Sequence, residues 1–289
     1  MIDAPARYDC AIIGTGPAGM SAALTLKAMN KSFIWFGSKQ MSPKIRKAEM
    51  ISNYPGLSNV SGEEMVAAFQ NQIRHLGIEI TEKTVTGVYH MGQYYGILCN
   101  QDMFEATTII LATGVESVKP IPGELELLGR GVSYCATCDG MLYRGKTIAV
   151  VCTSAEYEHE VKYLAELAEK VYFFPLYRDP AVKEANVQLI RKMPKAVSGI
   201  RKVERLSLDD TELLVDGVFF LKSAVSPSAL VGGLNAEDGH VVVDRKCATN
   251  LPGCFAAGDC TGRPYQYVKA AGEGNVAAHS VVHYLSENT

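Results

Sequence analysis

The sequence predicts an α/β fold with two doubly wound dinucleotide-binding-type domains, the second inserted into a discontinuous first domain. Three features predict it: an apolar strand, glycine-rich turn and Ala-rich helix at 10–28, a second strand–helix–strand unit at 146–174, and a strand ending in Gly-Asp at 255–259. A length of 289 residues suits two domains of ordinary size. The predicted first domain is 1–116 with 244–289, and the inserted domain is 117–243, entered through the linker 119–123.

Composition excludes several function classes. Hydrophobic residues make up 47% and charged residues 20% of the chain, which is the balance of a globular protein with a buried core. A net charge of -3 argues against nucleic-acid binding, and no apolar run approaches the ~20 residues of a membrane helix. The first residues do not resemble a signal peptide, and only two of eight cysteines form a C-x-x-C pair. We therefore expect a cytoplasmic protein with mostly reduced thiols, no nucleic-acid partner and no membrane association.

The first turn, GTGPAG at 14–19, has the G-x-G-x-x-G pattern between a strand and a helix. Gly14 permits the tight turn, Gly16 lets the backbone approach a pyrophosphate, and Gly19 lets the helix pack on the strand. Pro17 and Ala18 begin the helix, whose positive N-terminal end would face the phosphates. The turn therefore predicts a bound dinucleotide.

The second strand does not identify that dinucleotide. It covers 32–36, and an acidic residue that binds a ribose hydroxyl is expected at its end. Gly37 and Ser38 stand there instead, and Ser38 would bind a ribose only weakly. FAD and NAD both remain open on these residues.

The segment 133–140 contains Cys135 and Cys138, which can close a small disulfide ring. A thiolate near a helix N-terminus is stabilised, so the pair is predicted to be a redox couple. The alternatives are two buried thiols without a redox role and a structural zinc site, but zinc needs four ligands, and no second C-x-x-C or spaced His pair accompanies this one. Asp139 is placed to supply or take the proton of thiol exchange, although it could also be an exposed helix cap.

These motifs resemble those of the low-molecular-weight thioredoxin reductases. GTGPAG (14–19), NYPG (53–56), ATG (112–114), CATCDG (135–140) and FAAGD (255–259) occur in the order of that family and at nearly its spacing. The resemblance covers almost the whole chain, and CATCDG in this position is its most specific part.

The resemblance implies that FAD binds the first domain, that thioredoxin is the substrate, and that the protein is a homodimer. Cys138 would then lie over the flavin and take its electrons, Cys135 would attack the disulfide of thioredoxin, and Asp139 would donate a proton. Besides the first turn, the implied FAD-binding residues are Gly37, Ser38, Lys44, Asn53, Val85, Ala112, Thr113, Gly114, Gly258, Asp259 and Gln266. Val85 would lie by the adenine and Gln266 by the pyrimidine end of the flavin. The family usually has an arginine before this glutamine, where this chain has Tyr265.

The second dinucleotide-type unit lacks the residues that bind NADPH. Its turn at 151–157 has no glycine, and Glu156, Glu158 and Glu160 crowd the start of the following helix. Those carboxylates suit the helix dipole but would repel a diphosphate. Where the family has His-Arg-Arg to bind the ribose phosphate, this chain has Pro-Leu-Tyr at 175–177. The sequence therefore predicts that high-affinity NADPH binding is lost.

This absence makes the chain most similar to the ferredoxin-dependent flavin thioredoxin reductases. The alternatives are a reductase with an additional flavin, an NAD(P)H-dependent enzyme with an unusual site, and a non-enzymatic flavin redox sensor. Ferredoxins are acidic, so their docking surface should be basic. Two clusters qualify, and the first is preferred because it is close in sequence to flavin-lining residues. The first cluster is Lys39, Lys44, Arg46 and Lys47, and the second is Arg191, Lys192, Lys195, Arg201, Lys202 and Arg205.

Overall fold

The computed structural model describes residues 7–46, 48–115, 120–134, 136–222 and 227–288. It divides into two compact units, Met1–Val115 with Ser226–Thr289, and Glu116–Val225. The predicted first boundary at 116 lies one residue away, but the chain returns to the first unit at 226 and not at 244. The segment after 226 pairs with the first unit, since Val231 forms a bridge with Val88. Within the described ranges, no helix is long and apolar enough to cross a membrane.

The strands and helices are numbered in chain order. The strands are β1 Tyr8–Ile13, β2 Phe33–Phe36, β3 Gly87–His90, β4 Tyr95–Cys99, β5 Asp102–Leu111, β6 Val132–Ser133, β7 Thr147–Cys152, β8 Lys170–Pro175, β9 Val187–Leu189, β10 Ala196–Ser198, β11 Arg205–Ser207, β12 Glu212–Leu214, β13 Gly217–Leu221, β14 Ala236–Glu237, β15 His240–Val241 and β16 Cys254–Ala256. The α-helices are α1 Pro17–Ala28, α2 Pro43–Arg46, α3 Gly62–His75, α4 Ala136–Asp139, α5 Glu158–Leu167, α6 Pro227–Leu230 and α7 Tyr267–Asn288.

The first unit is built on a sheet with the order β2-β1-β5-β4-β3. β1, β2 and β16 run parallel to the strands they pair with, and β16 pairs with the C-terminal half of β5. β3 and β4 form an antiparallel extension on the N-terminal half of β5. The carboxyl ends of the parallel strands therefore meet at one edge, which is where ligands bind in open α/β sheets.

Small residues bring α1 and α7 close together. Ala22 and Ala277 are completely buried, and a Cβ on Gly274 would lie 2.0 Å from the Ala18 carbonyl oxygen. Two alanine-rich faces can thus pack at short range beneath the sheet. This contact fixes the start of α1 relative to the polypeptide that returns from the second unit.

The second unit contains a parallel sheet with the order β6-β13-β7-β8-β9 and a small antiparallel sheet, β10-β11-β12. Val150, Phe173 and Phe219 are completely buried in its core, as expected for parallel strands covered on both faces. The helix predicted within the strand–helix–strand unit at 146–174 is present, but it begins with a 3₁₀ turn at Ala155–Tyr157 before α5. The predicted fold class is confirmed.

Candidate active site

The glycines of the first turn have the three roles that their spacing predicts. Gly14 has φ +116°, and a Cβ there would lie 2.2 Å from the Ala112 carbonyl oxygen. A Cβ on Gly19 would lie 2.0 Å from the Gly14 carbonyl oxygen, so strand and helix meet only because both residues are glycine. A Cβ on Gly16 would have no atom of the described residues within 4 Å, apart from those of its chain neighbours. The backbone at Gly16 is therefore open to a ligand.

The start of α1 is arranged to bind an anion. Gly16 is the N-cap residue, no side chain caps the helix, and Pro17 occupies the first turn. The first amides of a helix have no partner inside it, so those of Ala18 and Gly19 are directed at the open space. Trp35, which sequence analysis did not identify, holds the turn because its indole N–H donates to the Gly14 carbonyl at 2.8 Å.

Two more loops reach the same edge of the sheet. Ala112 N–H donates to the Ile13 carbonyl at 2.8 Å, which brings the 112–114 segment beside the first turn. Gly258 has φ +90°, and a Cβ on it would lie 3.0 Å from that of Ala18. Thr113 Oγ1 is buried and, within the described part of the chain, makes no hydrogen bond of standard geometry, although it is close enough to the Cys260 thiol to lower the pKa of that thiol. Gly114 has φ +69°, and a Cβ on it would have no atom of the described residues within 4 Å, apart from those of its chain neighbours.

Asn53 and Gln266 come together across the first unit. The Asn53 side-chain amide donates to Gln266 Oε1 at 2.8 Å, although 213 positions separate the two residues. Gln266 directly precedes α7, and its carbonyl accepts from Ala270 N–H at 3.0 Å. Both side chains are exposed at the surface of this unit. Two residues that the resemblance assigns to the flavin site are thus direct partners.

Lys44 and Asp259 are two more residues that the resemblance assigns to the flavin site, and the charge of Lys44 acts on the Asp259 carboxyl. Lys44 Nζ donates to the Val115 carbonyl at 2.5 Å, directly after Gly114. Burial raises the pKa of the Asp259 carboxyl, and the positive charges of Lys44 and Lys269 act in the opposite direction. The described site therefore contains a partly buried carboxyl that is influenced by the charges of two lysines.

A side-chain network that the sequence analysis missed holds the loop after β16. Glu273 on α7 accepts from Gly258 N–H and from the Thr261 hydroxyl, each at 2.8 Å. Lys269, one helical turn earlier, donates to the Gly258 carbonyl at 2.9 Å and pairs with Glu273 at 3.0 Å. The Lys-x-x-x-Glu spacing on a helix was a possible signal, but nothing in it reveals that the partner is a distant loop.

Of the remaining predicted residues of the first unit, Gly37 and Ser38 follow β2 at the same edge, and Val85 precedes β3. Gly37 has φ +145°, and a Cβ there would lie 2.8 Å from the Thr15 side chain. Ser38 is exposed, and its hydroxyl accepts from Gln40 N–H at 3.1 Å. Val85 is 6% exposed in the segment before β3. Open backbone at Gly16, an uncapped helix and the buried Thr113 hydroxyl fit a dinucleotide cofactor in this unit.

The cysteine segment is only partly described. Cys135 and the side chain of Cys138 lie outside the described residues, whereas Asp139 ends α4. The Ser133 hydroxyl donates to Asp139 Oδ2 at 2.6 Å, and Ser133 is 3% exposed. Burial, and secondarily the Asp139 charge, raise the pKa of Tyr143. The proton donor suggested by the sequence is therefore held by a buried serine for which the sequence predicted no role.

A buried ion pair lies next to this segment in sequence. Lys222 Nζ is 2.6 Å from Glu124 Oε1, with side-chain exposures of 6% and 1%. The same oxygen accepts from the Tyr134 hydroxyl at 2.7 Å, and Glu124 also accepts from Ile121 N–H. Tyr134 directly precedes Cys135, so this cluster fixes the entry to the cysteine segment.

The second dinucleotide-type turn contains acidic side chains in specific contacts. Glu158 is 9% exposed and accepts from the Tyr177 hydroxyl and from Ala181 N–H, each at 2.8 Å. Ser154 caps the turn by accepting from Glu156 N–H. Tyr177 occupies one of the three positions, 175–177, at which the family has His-Arg-Arg to bind the ribose phosphate. In this unit the buried Glu158 carboxylate follows the turn, whereas the equivalent turn of the first unit is open at Gly16.

The fold and the site together define a class: two dinucleotide-binding-type units, of which one is open to a cofactor and the other contains a C-x-x-C-Asp segment, as in flavin-dependent disulfide oxidoreductases. Comparison with known proteins agrees. Residues 8–155 and 177–274 match the pyridine nucleotide-disulphide oxidoreductase family, and the match omits 156–176, which contains α5 and β8. The chain belongs to this family, and within it to the thioredoxin reductase-like flavoprotein disulfide reductases.

Three individual similarities are informative. The chain is 48% identical to a ferredoxin-flavin thioredoxin reductase from Clostridium acetobutylicum, with a TM-score of 0.89 and 98% of each chain covered. It is 30% identical to a thioredoxin reductase from Bacillus subtilis, over 97% of this chain and 95% of the relative. It is 34% identical to a thioredoxin reductase from Helicobacter pylori, over 97% of this chain and 99% of the relative.

Proposed function

We propose that this chain is an FAD-containing thioredoxin-disulfide reductase that receives its electrons from reduced ferredoxin. The observation that carries the proposal is Glu158, a buried carboxylate in the second dinucleotide-type unit. The 48% identity to the Clostridium acetobutylicum ferredoxin-flavin thioredoxin reductase supports it.

Glu158 makes the second unit unsuitable for NADPH. Its carboxylate lies at the start of α5, where a pyrophosphate would need amide donors and positive potential. Neither of its two partners, Tyr177 and Ala181 N–H, is a basic side chain. Each missing charge-assisted contact is worth about 1.5–3 kcal/mol, and about 1.4 kcal/mol is tenfold in affinity. Losing two contacts moves a micromolar site to about millimolar affinity.

The first unit would hold FAD at the edge where its loops meet. The pyrophosphate would bind at Gly16 and the first amides of α1, and the isoalloxazine would bind near Asn53 and Gln266. Thr113 would supply its buried hydroxyl, and Asp259 would bind the ribityl or pyrophosphate side. When bound, FAD accepts single electrons and delivers them in pairs, which a one-electron donor and a disulfide acceptor together require.

The cysteine pair would reduce thioredoxin by disulfide exchange. The Cys135 thiolate attacks the thioredoxin disulfide, forms a mixed disulfide and releases one thiolate, which takes a proton from Asp139. The Cys138 thiolate then attacks the Cys135 sulfur, the bond to thioredoxin breaks, and the second thiolate leaves and takes a proton from water. Thioredoxin gains two electrons and two protons, and Cys135 and Cys138 become a disulfide that two reduced ferredoxins must reduce again.

The docking surface for ferredoxin is proposed to be the first basic cluster. Lys39 and Lys44 are exposed there, Arg46 pairs with Glu63 at 3.3 Å, and Lys47 lies outside the described residues. The second cluster loses much of its positive charge to ion pairs. Those pairs are Lys192–Asp210, Lys195–Asp209 and Arg205–Glu212. A homodimer is part of the proposal on the family resemblance.

Turnover measurements test this proposal. With reduced ferredoxin as donor, the protein should release thiols from oxidised thioredoxin, and Cys135→Ser should abolish this release while FAD stays bound. Charge reversal at Lys39 and Arg46, which leaves the flavin-site residue Lys44 unchanged, should slow ferredoxin-driven turnover and reduce its salt dependence, since rim charges act on association. The matched control reverses Arg191 and Arg201. Full turnover by Cys135→Ser would contradict the relay, and a larger effect of the control would move the dock to the second cluster.

A further inference from the structure

The segment that leads from the loop after β16 into α7 has few backbone hydrogen bonds. Gly262 N–H donates to the Asp259 carbonyl at 3.1 Å, and the Gln266 carbonyl accepts from Ala270 N–H at 3.0 Å. Between these two points, the backbone of residues 263–265 forms no hydrogen bond within the described part of the chain. Side-chain contacts must therefore fix this segment, because exposed backbone without hydrogen bonds opens at low cost.

One aromatic side chain ties this segment to a neighbouring hairpin. The Tyr265 hydroxyl and His240 Nε2 share a hydrogen bond at 2.6 Å, and the centres of the two rings are 5.9 Å apart. His240 begins β15, whose next residue, Val241, is 2% exposed and pairs with Ala236 of β14. The Arg263 guanidinium also lies against the Tyr265 ring, 5.2 Å from its centre. A buried hairpin strand thus anchors a segment whose backbone is otherwise loosely held.

The anchored segment joins two residues that the resemblance assigns to the flavin site. Tyr265 directly precedes Gln266, whose Oε1 accepts from the Asn53 side-chain amide at 2.8 Å. At the other end of the segment lies Asp259. Burial raises the pKa of the Asp259 carboxyl, and the charge of His240 is among those that act in the opposite direction. His240, for which the sequence predicted no role, therefore lies close to this site.

We propose that the hydrogen bond between His240 and Tyr265 is a latch that positions Gln266 for contact with the flavin. The proposal rests on the proposed function, which puts FAD in this unit. Where the family usually has an arginine, this chain has a tyrosine that is held by a histidine. A side chain that is already held in its bound position loses less conformational freedom when a cofactor binds. His240 and Tyr265 are thus positioning residues that act through Gln266.

The rate of FAD release from the holoenzyme, followed by the fluorescence of the free cofactor, tests the latch. Tyr265→Phe removes one hydroxyl and keeps the ring, and His240→Leu removes the partner of that hydroxyl. Each should speed release by about twofold to tenfold, which is the effect of one hydrogen bond. The double variant should be no faster than either single variant, because both changes break the same bond. His240→Gln keeps a polar group that can bond to the hydroxyl and should release FAD at nearly the wild-type rate.

Two controls show whether the effect is local and whether it passes through Gln266. His283→Leu makes the same change at an exposed histidine of α7, which lies 3.3 Å from Glu287, and it should leave the release rate unchanged. In a Gln266→Ala background, Tyr265→Phe should have no further effect on release, since the side chain that the latch positions is gone.

Unchanged release in Tyr265→Phe, additive effects of the two latch variants, or equal acceleration by His283→Leu would overturn the latch. So would a full effect of Tyr265→Phe in the Gln266→Ala background. The proposed function fails in a different way. A wild-type protein that binds FAD but is not reduced by ferredoxin would contradict the electron donor and not the latch, whereas a folded wild-type protein without FAD would overturn both.

Discussion

The buried ion pair in the second unit allows a prediction with an internal control. Replacing Lys222 by Met removes the positive partner of Glu124, whose side chain is 1% exposed. The carboxylate keeps its bonds from Tyr134 and Ile121 N–H but loses the charge that compensates its burial. Breaking a buried pair in this way costs about 3–5 kcal/mol.

The control is a pair of nearly the same length at the surface. Lys192 Nζ lies 2.7 Å from Asp210, compared with 2.6 Å in the buried pair, but the two side chains are 46% and 64% exposed. Water and salt screen such a pair, so Lys192→Met should cost only about 0.2–1 kcal/mol. Burial, and not distance, therefore determines the predicted difference.

Urea unfolding of the holoenzyme measures this difference. The single tryptophan, Trp35, lies in the first unit, so circular dichroism must follow the second unit. With a slope of about 1–3 kcal/mol per molar urea, Lys222→Met should lower the midpoint of that unit by at least about 1 M. Adding Glu124→Gln should recover part of the loss. Equal small shifts for Lys222→Met and Lys192→Met would refute the reasoning.

Three more substitutions test the site. Gly16→Val should fold but bind flavin at least about tenfold more weakly, because the side chain fills the open face at the start of α1; full flavin content after dialysis would contradict this. Glu273→Gln should weaken the hold on Gly258 N–H by about 1–3 kcal/mol and lower the temperature of flavin release, whereas an unchanged release temperature would exclude that role. Ser133→Ala should slow thioredoxin turnover by about twofold to tenfold with flavin retained, since it removes the donor to Asp139; an unchanged rate would make the contact structural.

The backbone features of the site were predictable because the motif encodes them. Gly14 and Gly19 are glycine since a Cβ would meet a carbonyl oxygen, and Gly16 is glycine where the backbone is open. Such requirements are local, so one short pattern defines them. The same holds for the missing glycine in the turn at 151–157.

The side-chain contacts between distant elements were not predictable in this way. The three glutamates at the start of α5 were expected to act together as repelling charge, but their burial and their contacts differ. Glu156 is exposed, Glu160 is partly buried, and Glu158 is buried and accepts from the Tyr177 hydroxyl and from Ala181 N–H. The partners of Glu158 lie outside its own helix, and a single sequence contains no signal that pairs them.

The central claim is that reduced ferredoxin, and not NADPH, supplies the electrons. Anaerobic stopped-flow mixing of the oxidised holoenzyme with NADPH or with reduced ferredoxin tests this claim most directly. The account predicts rapid bleaching of flavin absorbance by reduced ferredoxin and none by micromolar NADPH, because the turn at 151–157 has no glycine and Glu158 puts a buried carboxylate at the start of α5. Rapid bleaching by micromolar NADPH without ferredoxin would contradict it.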